Sequence, residues 1–369
     1  MSKVLRIVHT ESSAGWGGQE IRILNETDGM IKRGHQVSVL APRETKIFAE
    51  ACQRNIPAVA LPISSKGIRG VSSLREWIKS NAVDVINTHS STDSWLTAIA
   101  CATLQKSPPI VRTRHISAAV PSNWSTRWLY QTATRHIVTT GEALRQQLWR
   151  QNGFDQQRMT SIPTGIDTSY FIPGDKAVAR AILGLPPDKT LIGSIATLRS
   201  WKGHRFLVEA FAALADDSMR LVIVGDGPQR ENIIRQTEEL GLSGKVVMPG
   251  NQSDVVPWLQ AMDVFVLASY ANEGVPQALM QAMACGLPVV TTPVGSIPEI
   301  VVENQNAVIV PPQDHRAITN ALEALLNDRA LRDHLGTEAR LKAISDFGLE
   351  EMLTRMETVF QNLVHENIH

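Results

Sequence analysis

Short runs of apolar, mostly β-branched residues recur along the chain, separated by stretches with helical periodicity. The first series reads VLRIVHT (4–10), VSVLAP (37–42), DVINTH (84–89), PIVRTRH (109–115) and HIVTTG (136–141). Strands without a polar side imply a parallel sheet covered by helices on both faces, the doubly wound arrangement built from βαβ units. A second series follows, with TLIGSIATL (190–198), RLVIVGDG (220–227), KVVMPG (245–250), VFVLAS (264–269), PVVTT (288–292) and AVIVPP (307–312). Two series predict two α/β domains, and 369 residues agree with about two. Pro, Gly and Asp cluster between them in PTGIDTSYFIPGD (163–175), which sets the expected boundary at 170. The expected parts are an N-terminal domain over 1–170, a C-terminal domain over 171–350, and a last helix over 351–369 that packs back on the N-terminal domain. Ligands of doubly wound sheets sit beyond the carboxyl ends of the strands, so the expected site is a cleft onto which both domains open.

Charge divides along the same line. Before residue 170 there are 20 basic and 12 acidic side chains, and after it 16 and 24, giving halves of +8 and −8 in a chain of zero net charge. A basic half beside an acidic one points to an anionic partner met by one half only. Nucleic acid is not expected, because no basic motif of a known binding module accompanies the charge. Cys52, Cys101 and Cys285 are odd in number, far apart and without metal-ligand spacing, which excludes a disulfide framework and a cysteine-based metal site. The N-terminal apolar run is too short for a signal peptide, and no stretch approaches the roughly 20 apolar residues that span a bilayer. The expected location is cytoplasmic, peripheral on the inner face of the membrane.

The first βα turn reads SSAGWGGQE, where Gly15, Gly17 and Gly18 let backbone N–H groups approach an anion at a helix N-terminus. The dinucleotide fingerprint needs a third glycine where Glu20 stands, which argues against a nicotinamide cofactor. In ATLRSWKG, Arg199 and Lys202 lie past a strand's carboxyl end, placed to neutralise a diphosphate; the plainer alternative is two solvated cations. After VFVLAS comes SYANEGVPQALMQAMACGLPVV, in which Glu273 ends the loop, Gly274 to Pro276 open the next helix, and Gln281 lies eight residues past Glu273. A carboxylate at an anion-receptive turn suits the hydroxyls of a sugar ring, although Glu is also favoured there by the helix dipole alone.

Taken together these segments resemble a family-4 retaining glycosyltransferase of the GT-B fold, two Rossmann-like domains facing a cleft. The resemblance runs over almost the whole chain. It is carried in order by GWGGQE, MIKRGHQVSVL, INTHSS, IPTGID, LRSWKG, VIVGDGP and EGVPQALMQAMACGLPVVTTPVGSIPEIV. It implies transfer of a sugar from a nucleotide-sugar donor, the co-substrate, to a hydroxyl, with retention of configuration, no other cofactor and no metal. Arg199 and Lys202 match the pair that binds the donor diphosphate. Gly17 and Gly18 match the turn that closes on it, and Gly274, Val275, Pro276 and Gln277 match contacts to sugar and phosphate. Glu273 matches the first acid of the family's Glu, seven residues, Glu motif. Gln281 stands where the second acid is usual and retains only hydrogen bonding to the ribose. Thr164 replaces the usual Asn of the N-G-[ILV]-D turn. His115, in RTRHIS, takes the place of the sugar-facing histidine, and His89 is a weaker candidate on the same grounds.

The implied acceptor is lipid-linked or a polysaccharide of a cell envelope. Two segments of the basic half mix cations with aromatic and apolar residues suited to an anionic membrane surface. One places Leu74, Trp77 and Ile78 at helical spacing among Lys66, Arg69, Arg75 and Lys79; the other combines Trp124, Trp128 and Tyr130 with Arg127 and Arg135. Packing of the same residues on the sheet is the alternative. Competing functions on this fold are a sugar-nucleotide epimerase, a phosphorylase, or a non-catalytic nucleotide-sugar-binding protein.

Overall fold

The computed structural model describes residues 3–116, 118–271 and 273–366. Contacts divide the chain into two units, one of residues 1–165 with 350–369 and one of residues 166–349. The division therefore falls five residues before the expected join at 170.

In the N-terminal unit the strands are β1 (Arg6–Thr10), β2 (Gln36–Ala41), β3 (Ala58–Ala60), β4 (Val85–Thr88), β5 (Ile110–Arg114), β6 (His136–Thr139) and β7 (Met159–Ser161). They pair in parallel in the order β3-β2-β1-β4-β5-β6-β7. The helices are α1 (Gly18–Lys32), α2 (Lys46–Gln53), α3 (Ile68–Ser80), α4 (Ser91–Ala102), α5 (Trp124–Trp128) and α6 (Glu142–Asn152). The five runs expected as strands are there; β3 and β7, at the two edges, had no run long enough to announce them. Strand order turns back between β1 and β4, which opens a crevice at their carboxyl ends.

The C-terminal unit repeats the plan. Its strands β8 (Thr190–Ile195), β9 (Met219–Val224), β10 (Val246–Gly250), β11 (Val264–Leu267), β12 (Val289–Thr291) and β13 (Val308–Ile309) lie in the parallel order β10-β9-β8-β11-β12-β13. Its helices are α7 (Lys176–Leu183), α8 (His204–Leu214), α9 (Arg230–Glu239), α10 (Val256–Ala261), α11 (Gln277–Ala284), α12 (His315–Asn327) and α13 (Arg329–Phe347). Successive strand residues serve opposite cores: Leu191, Val222, Phe265 and Leu267 face one, and Ile192, Leu221, Ile223, Val264 and Val266 the other. Both faces being apolar, polar chemistry is left to the strand ends.

The final helix α14 (Leu349–Glu366) belongs, from Glu350 on, to the N-terminal unit. Arg33 binds Glu350 and Glu357 at 2.8 and 2.9 Å, and Leu353 fills the space beside Gly29, where a Cβ would come within 2.3 Å of it. This helix brings four acids and one arginine, so the N-terminal unit carries 21 basic against 15 acidic residues, a net of +6 rather than the +8 of the leading segment.

The two aromatic and basic segments sort differently from a lipid-facing surface. Leu74, Ile78 and Tyr130 are core residues, and Trp77 and Trp128 pack against that core, Trp128 stacked on Trp95. Helical spacing alone fits a sheet-facing stripe equally well, and the sheet wins here because it removes whole side chains from water. Ile68 and Trp124 remain exposed, at 89% and 83%. Among the described residues no helix is long and apolar enough to cross a membrane.

Helix α13 crosses the turn after α11 at Gly336, where an added Cβ would stand 2.3 Å from the Gly286 carbonyl oxygen. Elsewhere in a helix Gly→Ala gains about 1 kcal/mol. At this backbone contact overpacking outweighs that gain, so Gly336→Ala is expected to cost about 1 to 3 kcal/mol in urea unfolding. A neutral or stabilising result would show that the helix does not rest on that carbonyl.

Candidate functional site

The candidate residues of the C-terminal unit flank its own switch point, between β8 and β11. Arg199 and Lys202 follow β8 in a short helical turn over Ser200–Lys202, and Glu273 follows β11. The two loops are tied by the Tyr270 amide donating to the Trp201 carbonyl at 2.8 Å. Lys202 Nζ then donates to Glu273 Oε1 at 2.5 Å, and Ser269 Oγ donates to the same oxygen at 2.6 Å. Glu273 is 4% exposed, so its charge needs these partners. Two glycines permit the approach. Gly203 (φ +72) passes the Ala268 carbonyl, and Gly295 (φ +61) passes that of Glu273 itself; a Cβ would lie 1.9 and 2.0 Å from those oxygens.

Arg199 is exposed, with its guanidinium 5.8 Å from the Trp201 ring centroid and no ion-pair partner among the described residues. Helix α11 starts at Gln277, with Pro276 at its N-cap and not inside it. Pro276 has no N–H, so the backbone donors of this stretch belong to Gly274, Val275 and Gln277. The Val275 side chain lies in the core. Gln277 and Gln281, both half-buried, share one helix face a turn apart, while Leu279, Met280, Ala282, Met283 and Ala284 are buried.

In the N-terminal unit the switch point lies between β1 and β4. Gly17 is the N-cap of α1 and Gly18 its first residue, without a capping side chain. The Glu20 carboxyl instead takes hydrogen bonds from the amides of Gly17 and Glu20 and from Ser13, so donors expected to receive an anion already have a partner. Burial raises the Glu20 carboxyl above its ordinary value.

Glu11, fully buried just past β1, was not singled out from sequence. Burial and the neighbouring Asp93 push its carboxyl up to about 8, against the Ser13 amide that donates to it at 2.6 Å. Burial raises the Asp93 carboxyl as well, against the hydrogen bonds that Thr10 Oγ1, the His89 and Ser90 amides and Ser90 Oγ donate to it at 2.5 to 2.9 Å.

His115 and His89 do not stand alone. His115 Nε2 lies 2.9 Å from His89 Nδ1, and His89 Nε2 lies 2.9 Å from His9 Nδ1. Burial, reinforced by Arg22, lowers His9 to about 3; burial likewise holds His89 and His115 well below the usual imidazole range. Behind His9 stand Glu26 and Arg22, both fully buried. A histidine at or next to the end of an apolar strand run, as His9 is in VLRIVHT, was the available signal for this group.

Two parallel doubly wound sheets of like strand order, with polar groups meeting at each switch point, define an α/β protein of the GT-B type. Residues 16–170 match the family model for Glycosyltransferase Family 4, and residues 175–342 that for Glycosyl transferases group 1. A D-inositol 3-phosphate glycosyltransferase of Xylanimonas cellulosilytica is 30% identical over 305 residues, 75% of this chain and 71% of that protein. Against several other curated relatives the matched stretch spans only about half of their length. A solved glycosyltransferase of Rickettsia africae has a TM-score of 0.89 at 19% identity, covering 98% of this chain and 99% of its own. Anabaena HepE, solved in complex with UDP-glucose, has a TM-score of 0.86 at 19% identity, covering 97% and 100%. The chain belongs to the family-4, group 1 glycosyltransferases.

Glu11 generates a pH test. A carboxyl raised from its ordinary value to about 8 favours the folded state while protonated, and that contribution is lost as pH rises from about 4.5 through 8. Glu11→Gln keeps the shape without the charge. A tenfold change in an ionisation constant is worth about 1.4 kcal/mol, so the variant is expected to be more stable than the parent by a few kcal/mol at pH 8.5 and by much less at pH 5. Equal Tm differences at both pH values would show that Glu11 is ionised without penalty.

Proposed function

We propose that this glycosyltransferase moves a sugar from a nucleotide-sugar donor to a hydroxyl of a lipid-linked or polysaccharide acceptor, with retention of the anomeric configuration and without a metal ion. The observation that carries this reading is the Lys202–Glu273–Ser269 cluster at the β8/β11 switch point, with Arg199 one short turn away. Departure of a nucleoside diphosphate leaves negative charge on phosphate while positive charge grows on the sugar ring. Arg199 offers a forked donor with no carboxylate partner among the described residues, and Lys202 has three donors, only one of which Glu273 requires. Both are suited to the leaving diphosphate. Glu273, acceptor-only and held by Lys202 and Ser269, suits the sugar hydroxyls, and Gln281 suits the ribose. Gly274, Val275 and Gln277 would add backbone donors, and Gly17 and Gly18, at the turn that opens α1, would let backbone come close to a phosphate. His115 would face the sugar.

Attack from the face of departure, with the leaving phosphate taking the acceptor proton, fits this set. Double displacement through paired carboxylates needs two acids about 5 Å apart, and the residue eight past Glu273 is the amide Gln281. UDP-glucose, seen with the HepE neighbour, is the donor to try first. Glu273→Gln can still accept from Lys202 and Ser269, so near-parental melting is expected, with transfer to acceptor falling roughly hundredfold or more. Full transfer in that variant would remove Glu273 from the site, and donor conversion without any acceptor would favour the epimerase.

The acceptor half of the reading includes contact with an anionic membrane surface. It is supported by Ile68 and Trp124, each exposed and flanked by cations, Lys66 and Arg69 for the first and Arg127 for the second. Losing both anchors in Ile68→Ser/Trp124→Ser is expected to weaken co-sedimentation with anionic vesicles by about tenfold or more. Unchanged sedimentation, or sedimentation insensitive to salt and lipid charge, would sink the membrane contact and leave the transfer chemistry untouched.

A further inference from the structure

The three imidazoles at the carboxyl ends of β1, β4 and β5 form a continuous chain, of which the proposed transfer uses only the outermost member. Ring centroids of His9 and His89, and of His89 and His115, are 5.2 Å apart in both cases, and each N···N contact is 2.9 Å. Around the chain stand Arg22 and Glu26 of α1, Arg112 and Arg114 of β5, and Asp93 of α4, which binds the His89 amide. Burial and the three guanidiniums keep the imidazoles neutral.

A neutral imidazole has one N–H and one lone pair. His89 uses both nitrogens inside the chain, so it donates at one and accepts at the other. Only two arrangements exist, with all N–H groups pointing inward toward His9 or all pointing outward toward His115. The inner end decides between them. His9 Nε2 has no hydrogen-bond partner among the described residues and faces Glu26 Oε1 at 3.9 Å. That oxygen accepts from Asn87 Nδ2 at 3.3 Å, and Asn87 is oriented by Thr113, which donates to its Oδ1 at 2.8 Å. A carboxylate at this place favours an N–H and repels a lone pair.

We propose that Glu26 acts as a positioning residue, fixing through His9 and His89 the tautomer of His115 in which Nε2 carries the proton and Nδ1 presents a lone pair. His115 then accepts a hydrogen bond from a hydroxyl and cannot donate to a carbonyl or phosphate oxygen. It selects, through a residue two imidazoles away, for a ligand that bears an O–H at this point. The role of that O–H in transfer rests on the sugar-facing reading of His115; the tautomer itself does not.

Long-range ¹⁵N–¹H correlation spectra of the full chain at pH 7.5 decide the tautomer without any assay of activity. Nε2 is expected to be protonated and Nδ1 bare on His9, His89 and His115 alike. A proton on His115 Nδ1, or an imidazolium among the three, overturns the proposal. Glu26, raised by burial to about 6, gains its proton as pH falls, and the Nδ1–H form of His115 is expected to emerge in the parent protein over the same range. In Glu26→Gln the new amide turns its oxygen to Arg22, the stronger donor, and its NH₂ to His9 and to the Asn87 amide, which turns over to accept from it while Asn87 Nδ2 donates to the Thr113 hydroxyl, so the same reversal is expected at pH 7.5. Glu26→Asp should restore the parental pattern. A folded Glu26→Gln with an unchanged His115 tautomer overturns the assignment to Glu26. In kinetics, Glu26→Gln should lower kcat/KM about tenfold, the size of one hydrogen bond, and should cost nothing further in a His115→Ala background. An equal loss in both backgrounds would make Glu26 merely structural, whereas absence of any transferase activity would count against the proposed function and leave the spectra to decide the tautomer.

Discussion

A parallel sheet covered on both faces has no polar side, and this one constraint governs where either half of the chain can do chemistry. Alternate residues of β8, β9 and β11 are spent on two opposed cores, and the same holds in the N-terminal unit for Val39 and Leu40. Only the strand ends are free to carry polar groups, and only at the switch point do two neighbouring loops diverge enough to leave room between them. Each unit uses that point in the same way. Lys202 meets Glu273 across β8 and β11, and His9 meets His89 across β1 and β4. Both pairs join segments more than seventy residues apart, so neither exists before its sheet has formed.

The polar groups at the N-terminal switch point are costly, and nothing in the fold requires most of them. Glu11, Arg22, Glu26 and His9 are all fully buried, and Arg22 Nε, Glu26 Oε2 and His9 Nε2 make no hydrogen bond among the described residues. An unmet buried polar group costs about 1 to 3 kcal/mol. Arg22 recovers part of this by donating to the Ile162 carbonyl at 2.8 Å, which ties α1 to the segment after β7. Glu11 recovers part through the Ser13 amide and Gln19, and His9 through His89. Ionisable groups shifted this far from their ordinary values and gathered at a strand-end crevice are commoner at functional sites than in scaffolds.

How much of this was legible follows from the range of the interactions. The long strands were readable because β-branched runs bounded by turns carry their own signal, whereas β3 and β7 are three residues each and owe their pairing to the neighbours β2 and β6. Arg199, Lys202 and Glu273 were marked by position after a strand, but the 2.5 Å contact between Lys202 and Glu273 spans 71 positions and no local pattern predicts it. For Leu74, Trp77 and Ile78 a helical stripe names a buried face without naming what buries it. The imidazole chain was half visible: the runs ending in His89 and His115 looked alike, and His9 completes them only once β1 is known to lie beside β4. Glu26 is a mid-helix acid whose neighbours in sequence give no sign that it is buried.

The local charge at the C-terminal switch point gives Gln281 a physical reading. Lys202 and Glu273 neutralise one another, which leaves the charge of Arg199 in a unit that carries 15 basic against 21 acidic residues. A second acid at position 281, on the same helix face as Gln277, would add one more negative charge to this already acidic unit. With an amide there, hydrogen bonding to a hydroxyl survives and the local positive charge is kept. A cation in an otherwise acidic unit draws an anionic ligand to one place and repels it elsewhere, and its reach is limited by screening to about 10 Å at 0.1 M salt. On the proposed reading, the amide keeps a hydrogen bond to the ribose and adds no negative charge to the unit in which leaving-group charge would develop.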